Sequence, residues 1–194
     1  MRLGDKGDDV RAFQASVFPA SMVDGVCGLD TLSRWRADND STVPFPLRRM
    51  FRMIGKIIDY SMANVTDTAN DCSGSVCLSL PVSKGHGGPG NPTALDFGTG
   101  GILADALGGQ RVFAKVCGPD VFDRIEVADL LIYGPHDGHA GHIAYWLGGG
   151  AICDCSASRN GVHAHLDDKA QFMVKHPGRP VYVVRYVGAR KAQA

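Results

Sequence analysis

Residues 71–80 read DCSGSVCLSL, a short polar opening followed by apolar residues at helical spacing. This pattern predicts a helix that begins close to Cys72. The positive end of a helix dipole favours the thiolate, which is the form of cysteine that attacks a carbonyl carbon. Cys72 is therefore a candidate nucleophile, although a free cysteine is more often a small buried side chain.

A candidate base lies in the second half of the chain. His142 opens the run HIAYWLG at 142–148, whose β-branched and aromatic residues are typical of a strand. An imidazole there can take the thiol proton and later return it to a leaving amine. Asp154 follows on the predicted neighbouring antiparallel strand, where its carboxylate can fix the imidazole tautomer. His163 and His165 are the alternatives for this third role.

The order of predicted elements places a helix before a series of strands, which indicates an α+β fold with an antiparallel sheet. An apolar stripe predicts one amphipathic helix over 47–63, and the glycine-rich residues 85–109 are predicted to be mostly loop. Short apolar runs between glycine turns predict strands at 129–133, 142–147, 151–153 and 180–187. Six irregularly spaced cysteines are too sparse for a disulfide scaffold, so we expect most of them to be reduced.

Residues 1–40 form a unit of their own in the sequence. Two short helices are predicted around a glycine turn, with Asp30 as the cap of the second helix. The strings RLGDKGDDVRAFQ at 2–14 and DGVCGLDT at 24–31 resemble the small helical peptidoglycan-binding module of wall hydrolases. This resemblance implies wall binding, with purely structural packing as the alternative. Residues 41–46, STVPFP, are predicted to be a proline-stiffened linker.

Three motifs resemble, in the same order, those of the NlpC/P60 cysteine peptidases. They are DCSG at 71–74, ADLLIY at 128–133 and HIAYWLG at 142–148. The resemblance implies a papain-like domain over residues 47–194, with an antiparallel sheet packed on helices. It also implies catalytic roles, with Cys72 as nucleophile, His142 as base and Asp154 as the orienting residue at a position where family members often have histidine.

The chain departs from the family pattern at three places. MANVTD at 62–67 stands where the family has an aromatic stretch whose tyrosine positions the substrate amide. Ala128 replaces the usual glycine before Asp129. The interval between Cys72 and His142 is also longer than usual, and the extra length falls in the glycine-rich residues.

The implied activity is hydrolysis of an amide bond in the stem peptide of bacterial peptidoglycan, without a cofactor. A phage endolysin is the predicted biological role. The alternatives are an injected antibacterial effector, a virion-associated lysin, or a non-catalytic wall-binding protein of the same fold. A deamidase, a transglutaminase-like enzyme or an acyltransferase can use the same cysteine and histidine.

A zinc site is a competing interpretation of the histidines near His142. His136, His139 and His142 recur every three residues, with Asp137, Cys153 and Cys155 nearby in sequence. Residues three apart on a strand face opposite sides, and the interspersed glycines are typical of a loop. We therefore predict no bound metal, and we predict that Cys77, Cys117, Cys153 and Cys155 are packing residues.

The overall charge balance restricts the class of partner. Twenty basic and twenty acidic residues give a formal net charge of +0, so no global field favours nucleic acid or an anionic membrane. No apolar run approaches the roughly 20 residues that cross a bilayer, so we expect no stable membrane insertion. The first six residues, MRLGDK, differ from a signal peptide, and we expect a monomer made in the host cytoplasm that acts on the wall after release.

Overall fold

The computed structural model describes residues 1–56, 59–60, 69–80, 82, 98–109, 112–134, 141–166 and 178–188. The helices are α1 (Asp8–Val17), α2 (Leu29–Asn39), α3 (Phe45–Phe51), α4 (Cys72–Ser79) and α5 (Thr99–Ala104), with a 3₁₀ turn at Ala20–Met22 and a π-helical turn at Asp105–Gly109. The strands are β1 (Asp59–Tyr60), β2 (Ala69–Asn70), β3 (Phe113–Cys117), β4 (Leu130–Tyr133), β5 (His142–Gly148), β6 (Ala151–Ser156), β7 (Gly161–Leu166) and β8 (Tyr182–Tyr186).

The main sheet has six strands in the order β3-β8-β4-β5-β6-β7, and every neighbouring pair is antiparallel. This confirms the predicted α+β class and the four predicted strands, which correspond to β4, β5, β6 and β8. The sequence analysis did not predict β7 or β3 of this sheet, and the charged Lys115 interrupts the apolar run of β3. The short strands β1 and β2 form a separate parallel pair just before α4.

The two faces of the sheet bury different sets of residues. The larger cluster joins one face to α3 and α4, and it includes Cys153 and Cys155. The smaller cluster, which contains Ile152 and Ala144, covers the other face. Because side chains alternate along a strand, Asp154 shares its face with the smaller cluster, opposite to Cys153 and Cys155. Within the described ranges, no helix is both long and apolar enough to cross a membrane.

The N-terminal residues form the two predicted helices around a turn. The buried Gln14 side chain holds this turn, because its amide donates to Asp24 Oδ1 at 2.8 Å and accepts from Gly25 N at 2.7 Å. Phe18 and Ala37 from this segment belong to the same buried cluster as residues of α3 and α4. The cap of α2 was predicted wrongly. Gly28 occupies that position, and the Asp30 carboxylate contacts β7 instead.

The predicted helix over 47–63 is also shorter than expected. Helix α3 ends at Phe51, and the chain turns over residues 52–56. Gly55 has a φ of 83°, in the left-handed region that favours glycine, and its Cα lies directly against the Phe18 ring. The apolar stripe therefore continues beyond the helix, because the turn carries Met53 and Ile54 into the same core.

We expect Gly55→Ala to lower the free energy of unfolding by about 2–4 kcal/mol. An added Cβ meets two penalties, since it must adopt the left-handed conformation and would overlap the Phe18 ring. Urea unfolding followed by tryptophan fluorescence measures the loss. Gly149→Ala is the matched control, because Gly149 also has positive φ, at 60°, but an added Cβ there has no atom within 4 Å. Equal losses in the two variants would contradict the packing of Phe18 on this turn.

Candidate active site

Helix α4 begins at Cys72, as predicted, and Asp71 caps it. The Asp71 side chain accepts from Gly74 N at 2.7 Å and from the Ser73 hydroxyl at 2.9 Å. Only 3% of Cys72 is exposed. The structure therefore fixes the Cys72 side chain at the N-terminal end of a buried helix.

Small hydroxyl side chains attach α4 to the sheet and to the strand before it. The Ser75 hydroxyl donates to Asn70 Oδ1 at 2.5 Å, and the Ser79 and Tyr145 hydroxyls are 2.7 Å apart. Serine, glycine and cysteine make α4 slim enough to be buried on almost all sides. Both ends of the helix are thereby fixed, which sets the position of Cys72 relative to β5.

His142 stands at the start of β5 and shares a sheet face with Asp154. Strands β5 and β6 are antiparallel and pair Tyr145 with Cys153, which places His142 and Asp154 together on the opposite face. The His142 Nε2 to Asp154 Oδ2 distance is 2.7 Å. Nδ1 is then the ring nitrogen left for Cys72, which also hydrogen-bonds to His142.

The surroundings of His142 stabilise its protonated form. Burial opposes the charge on the ring, but hydrogen bonds to Asp154 and Cys72 outweigh that effect and raise the pKa of His142 to about 10. Burial likewise opposes ionisation of Asp154, which is only 4% exposed. Hydrogen bonds from His142 and His165 outweigh it and lower the pKa of Asp154 well below its ordinary value. The site thus favours an imidazolium beside a carboxylate.

The two alternative third residues occupy different places. His165 lies behind Asp154, with its Nε2 3.0 Å from Asp154 Oδ1, the oxygen that does not contact His142. His163 contacts Asp30 of α2 at 2.7 Å. Of the three candidates for the third role, Asp154 is therefore the one in contact with the His142 ring. The catalytic role of each residue stays a prediction.

Two tyrosines and a threonine lie beside Cys72 or His142, and the sequence analysis did not single out any of them. Thr99, at the start of α5, has its hydroxyl 3.8 Å from Cys72 Sγ. Tyr60 hydrogen-bonds to Cys72, and burial together with the neighbouring Cys72 raises the pKa of Tyr60 above its ordinary value. Tyr133 has its ring centroid 6.1 Å from that of His142.

Tyr60 lies close to the place where the resembled family has an aromatic stretch and this sequence does not. The family's substrate-positioning tyrosine is absent from residues 62–67, which lie outside the described residues. Tyr60 lies just before that stretch, in β1, and β1 pairs with β2 immediately before the Cys72 helix. Tyr60 could have been predicted from its short sequence distance from Cys72. The strand pair between them returns the chain to the start of α4.

Other predictions at the site have mixed outcomes. His136, His139 and Asp137, which belong to the competing zinc interpretation, lie outside the described residues. In the part that is described, no group of three histidine, cysteine or carboxylate side chains is arranged to hold a metal ion. Residues 85–109 were predicted to be mostly loop; residues 85–97 lie outside the described residues, and residues 99–109 form α5 and the π-helical turn instead.

Four of the other five cysteines were predicted to be packing residues. Cys77, Cys117, Cys153 and Cys155 are buried, as expected for packing residues. Burial raises the pKa of Cys155 to about 12 and also raises the pKa of Cys153 well above its ordinary value. These two side chains are therefore thiols at neutral pH and poor nucleophiles.

The site can support nucleophilic chemistry by a thiol. An imidazole between a thiol and a carboxylate can withdraw the thiol proton while the carboxylate stabilises the resulting charge. Tyr60 and Thr99 add hydroxyl groups next to the sulfur.

No protein-family model matches the chain, and no curated protein matches it. Solved structures do. The P60 domain of antigen MAP1204 from Mycobacterium avium subspecies paratuberculosis has 20% identity and a TM-score of 0.45, over 78% of this chain and 96% of that one. The peptidoglycan hydrolase RipB from Mycobacterium tuberculosis has 20% identity and a TM-score of 0.44, over 91% and 78%.

A third similar structure, NlpC2 from Trichomonas vaginalis, has 15% identity and a TM-score of 0.44, over 77% of this chain and 48% of that one. The chain is similar in structure to P60 and NlpC domains, the group whose motifs its sequence resembles.

Proposed function

We propose that this chain is a cysteine peptidase that hydrolyses an amide bond in the stem peptide of peptidoglycan. The observation that carries the chemistry is the hydrogen-bonded series from Cys72 through His142 to Asp154 at the start of a buried helix. The choice of substrate is supported by the sequence motifs and by the module-like residues 1–40.

In the proposed reaction, His142 takes the proton of the Cys72 thiol, and the thiolate attacks the carbonyl carbon of the substrate amide. The Asp154 carboxylate stabilises the imidazolium that forms. The backbone N–H groups at the start of α4, apart from that of Gly74, which Asp71 binds, stabilise the tetrahedral oxyanion together with the Tyr60 hydroxyl.

The second half of the reaction reverses the proton transfer. The carbon–nitrogen bond breaks as His142 gives its proton to the leaving amine, which leaves a thioester on Cys72. A water molecule, deprotonated by His142, then attacks the thioester and releases the carboxylic acid product together with the free thiol. Asp154 retains the imidazole orientation through both steps.

Residues 1–40 are proposed to bind the wall, and residues 47–194 to carry the catalysis. A phage endolysin fits this arrangement, and an injected effector or a virion-associated lysin shares its chemistry. Expression inside a bacterium, with and without a co-expressed membrane-permeabilising protein, tests the endolysin role. Lysis only with the permeabilising protein would support it, and lysis by the chain alone would contradict it.

The test of the proposed function is digestion of purified sacculi followed by mass spectrometry of the soluble fragments. We expect new amine and carboxylate ends within the stem peptide, because the reaction hydrolyses an amide. Fragments cut in the glycan strands, or unchanged sacculi that nevertheless bind the protein, would overturn the peptidase proposal. The second of these outcomes would favour the non-catalytic wall-binding alternative.

A further inference from the structure

Asp30 of α2 holds the last strand of the sheet through two hydrogen bonds. Its Oδ1 accepts from the backbone N–H of Ala164 at 2.6 Å, and its Oδ2 is 2.7 Å from His163 Nδ1. Strand β7 ends the strand order in the described part of the chain, so this outward N–H has no neighbouring strand to bind. The Asp30 carboxylate takes the place of that strand.

The geometry around His163 indicates an ion pair with Asp30. The Nε2 atom of His163 is 3.1 Å from the backbone oxygen of Arg159, and Nδ1 faces the Asp30 carboxylate. Both partners can only accept, so both ring nitrogens carry hydrogen and the ring is charged. The hydrogen bond to Asp30 raises the pKa of His163, and the nearby Arg159 charge opposes the shift. From β6, Asp154 is the residue paired with His163.

The same strand carries the residue that supports the catalytic carboxylate. His165 lies two positions after His163, on the same face of β7, and its Nε2 is 3.0 Å from Asp154 Oδ1. The other ring nitrogen of His165 is buried and has no hydrogen-bond partner among the described residues. Arg159 Nη1 also lies 3.0 Å from His165 Nε2. A ring nitrogen has a single hydrogen-bonding position, so Nε2 can bind only Arg159 or Asp154 at one time. The position of this ring on Asp154 therefore depends strongly on where the β7 backbone lies.

We propose that Asp30 is a positioning residue for the active site. By fixing β7 it keeps His165 on one oxygen of Asp154, and so keeps the other oxygen directed at His142. The inference rests on the proposed function for the roles of Cys72 and His142. It assigns the N-terminal helices a part in catalysis that is separate from wall binding.

The test compares Asp30→Ala with the full-length wild type on a short soluble stem peptide, for which wall binding plays no part. We expect kcat to fall on the order of tenfold, because a small displacement of a catalytic group has a large effect on rate, while KM changes little. We also expect the alkaline limb of the pH profile to move to lower pH, because a displaced Asp154 supports the His142 imidazolium less well. Asp30→Asn, which keeps an acceptor for Ala164 N–H, should recover part of the rate.

The matched control is Asp38→Ala, which removes another carboxylate of α2. Asp38 pairs with Arg34 and Arg52 and makes no hydrogen bond to β7. We expect this variant to cleave the soluble peptide at the wild-type rate. If Asp30→Ala melts at a lower temperature but retains the wild-type kcat and alkaline limb, Asp30 is only a stabilising residue and the proposal is wrong.

A second readout does not depend on the substrate. The rate at which iodoacetamide alkylates Cys72, located by mass spectrometry, reports the thiolate and its imidazolium partner at each pH. We expect the alkylation profile of Asp30→Ala to shift while that of Asp38→Ala matches the wild type. If no stem peptide is cleaved but the profile shifts, the proposed function fails and the positioning role stands. An unchanged profile overturns the positioning role whatever the substrate.

Discussion

Cys72→Ala is expected to abolish cleavage of sacculi and of soluble stem peptides while leaving the fold intact. The substitution removes the atom that forms the covalent intermediate, and the neighbouring Cys155 is a poor replacement, because burial raises its pKa to about 12. The change removes a single sulfur atom from α4, and the hydrogen bonds that fix the helix come from Asp71, Ser75 and Ser79. Release of soluble fragments measures the loss.

Cys77→Ala is the matched control for this prediction. Cys77 lies on the same helix, a little more than one turn after Cys72, and is also buried. We expect it to lower the free energy of unfolding by about 1 kcal/mol and to keep near wild-type activity. Lysis by Cys72→Ala at a rate close to that of the wild type would contradict the cysteine-peptidase mechanism.

Local sequence signals were sufficient for the elements that carry Cys72 and His142. The strand β5 has a regular run of β-branched and aromatic residues, and α4 follows a strong capping residue, so pattern and structure agree. Asp154 could be placed because a glycine turn brings its strand back beside β5. Each of these inferences spans a single turn or hairpin.

The features that could not be predicted depend on contacts between distant parts of the chain. Asp30 has the ordinary sequence signature of a helix cap, yet its carboxylate binds His163, more than a hundred residues later. The helix over 47–63 was predicted too long, because the turn at Gly55 is dictated by Phe18 from the N-terminal segment. Tyr60 is close to Cys72 in sequence, but no local motif marks it, and its contact with Cys72 depends on the β1–β2 pairing.

Local sequence signals are also insufficient to distinguish the roles of Asp154, His163 and His165. All three are polar residues on β6 or β7, and their order along the chain does not determine which one reaches His142. The structure gives them three different partners, since Asp154 contacts His142, His165 contacts Asp154, and His163 contacts Asp30. Substitution should therefore lower activity most at Asp154, less at His165 and least at His163.

Asp154→Ala is expected to lower kcat by roughly one to two orders of magnitude, with a smaller change in KM, because the carboxylate supports a charge that develops during acylation. His165→Ala should have a smaller effect, because it removes only one of the two hydrogen bonds to Asp154. His163→Ala should have the smallest effect, since the bond from Ala164 N–H to Asp30 remains. The comparison is made on variants whose thermal melting shows them folded.

The pH profile gives this prediction a second, independent measure. The hydrogen bond to Asp154 helps to raise the pKa of His142 to about 10, so the imidazolium persists below that pH and is lost as the pH rises through it. Asp154→Asn keeps the size of the side chain and removes its charge, so the pKa of His142 falls and the alkaline limb moves to lower pH. Because the carboxylate that His163 contacts is that of Asp30, His163→Asn should leave that limb closer to its wild-type position than Asp154→Asn does. If Asp154→Ala remains nearly fully active while a histidine variant is inactive, that histidine and not Asp154 is the third catalytic residue.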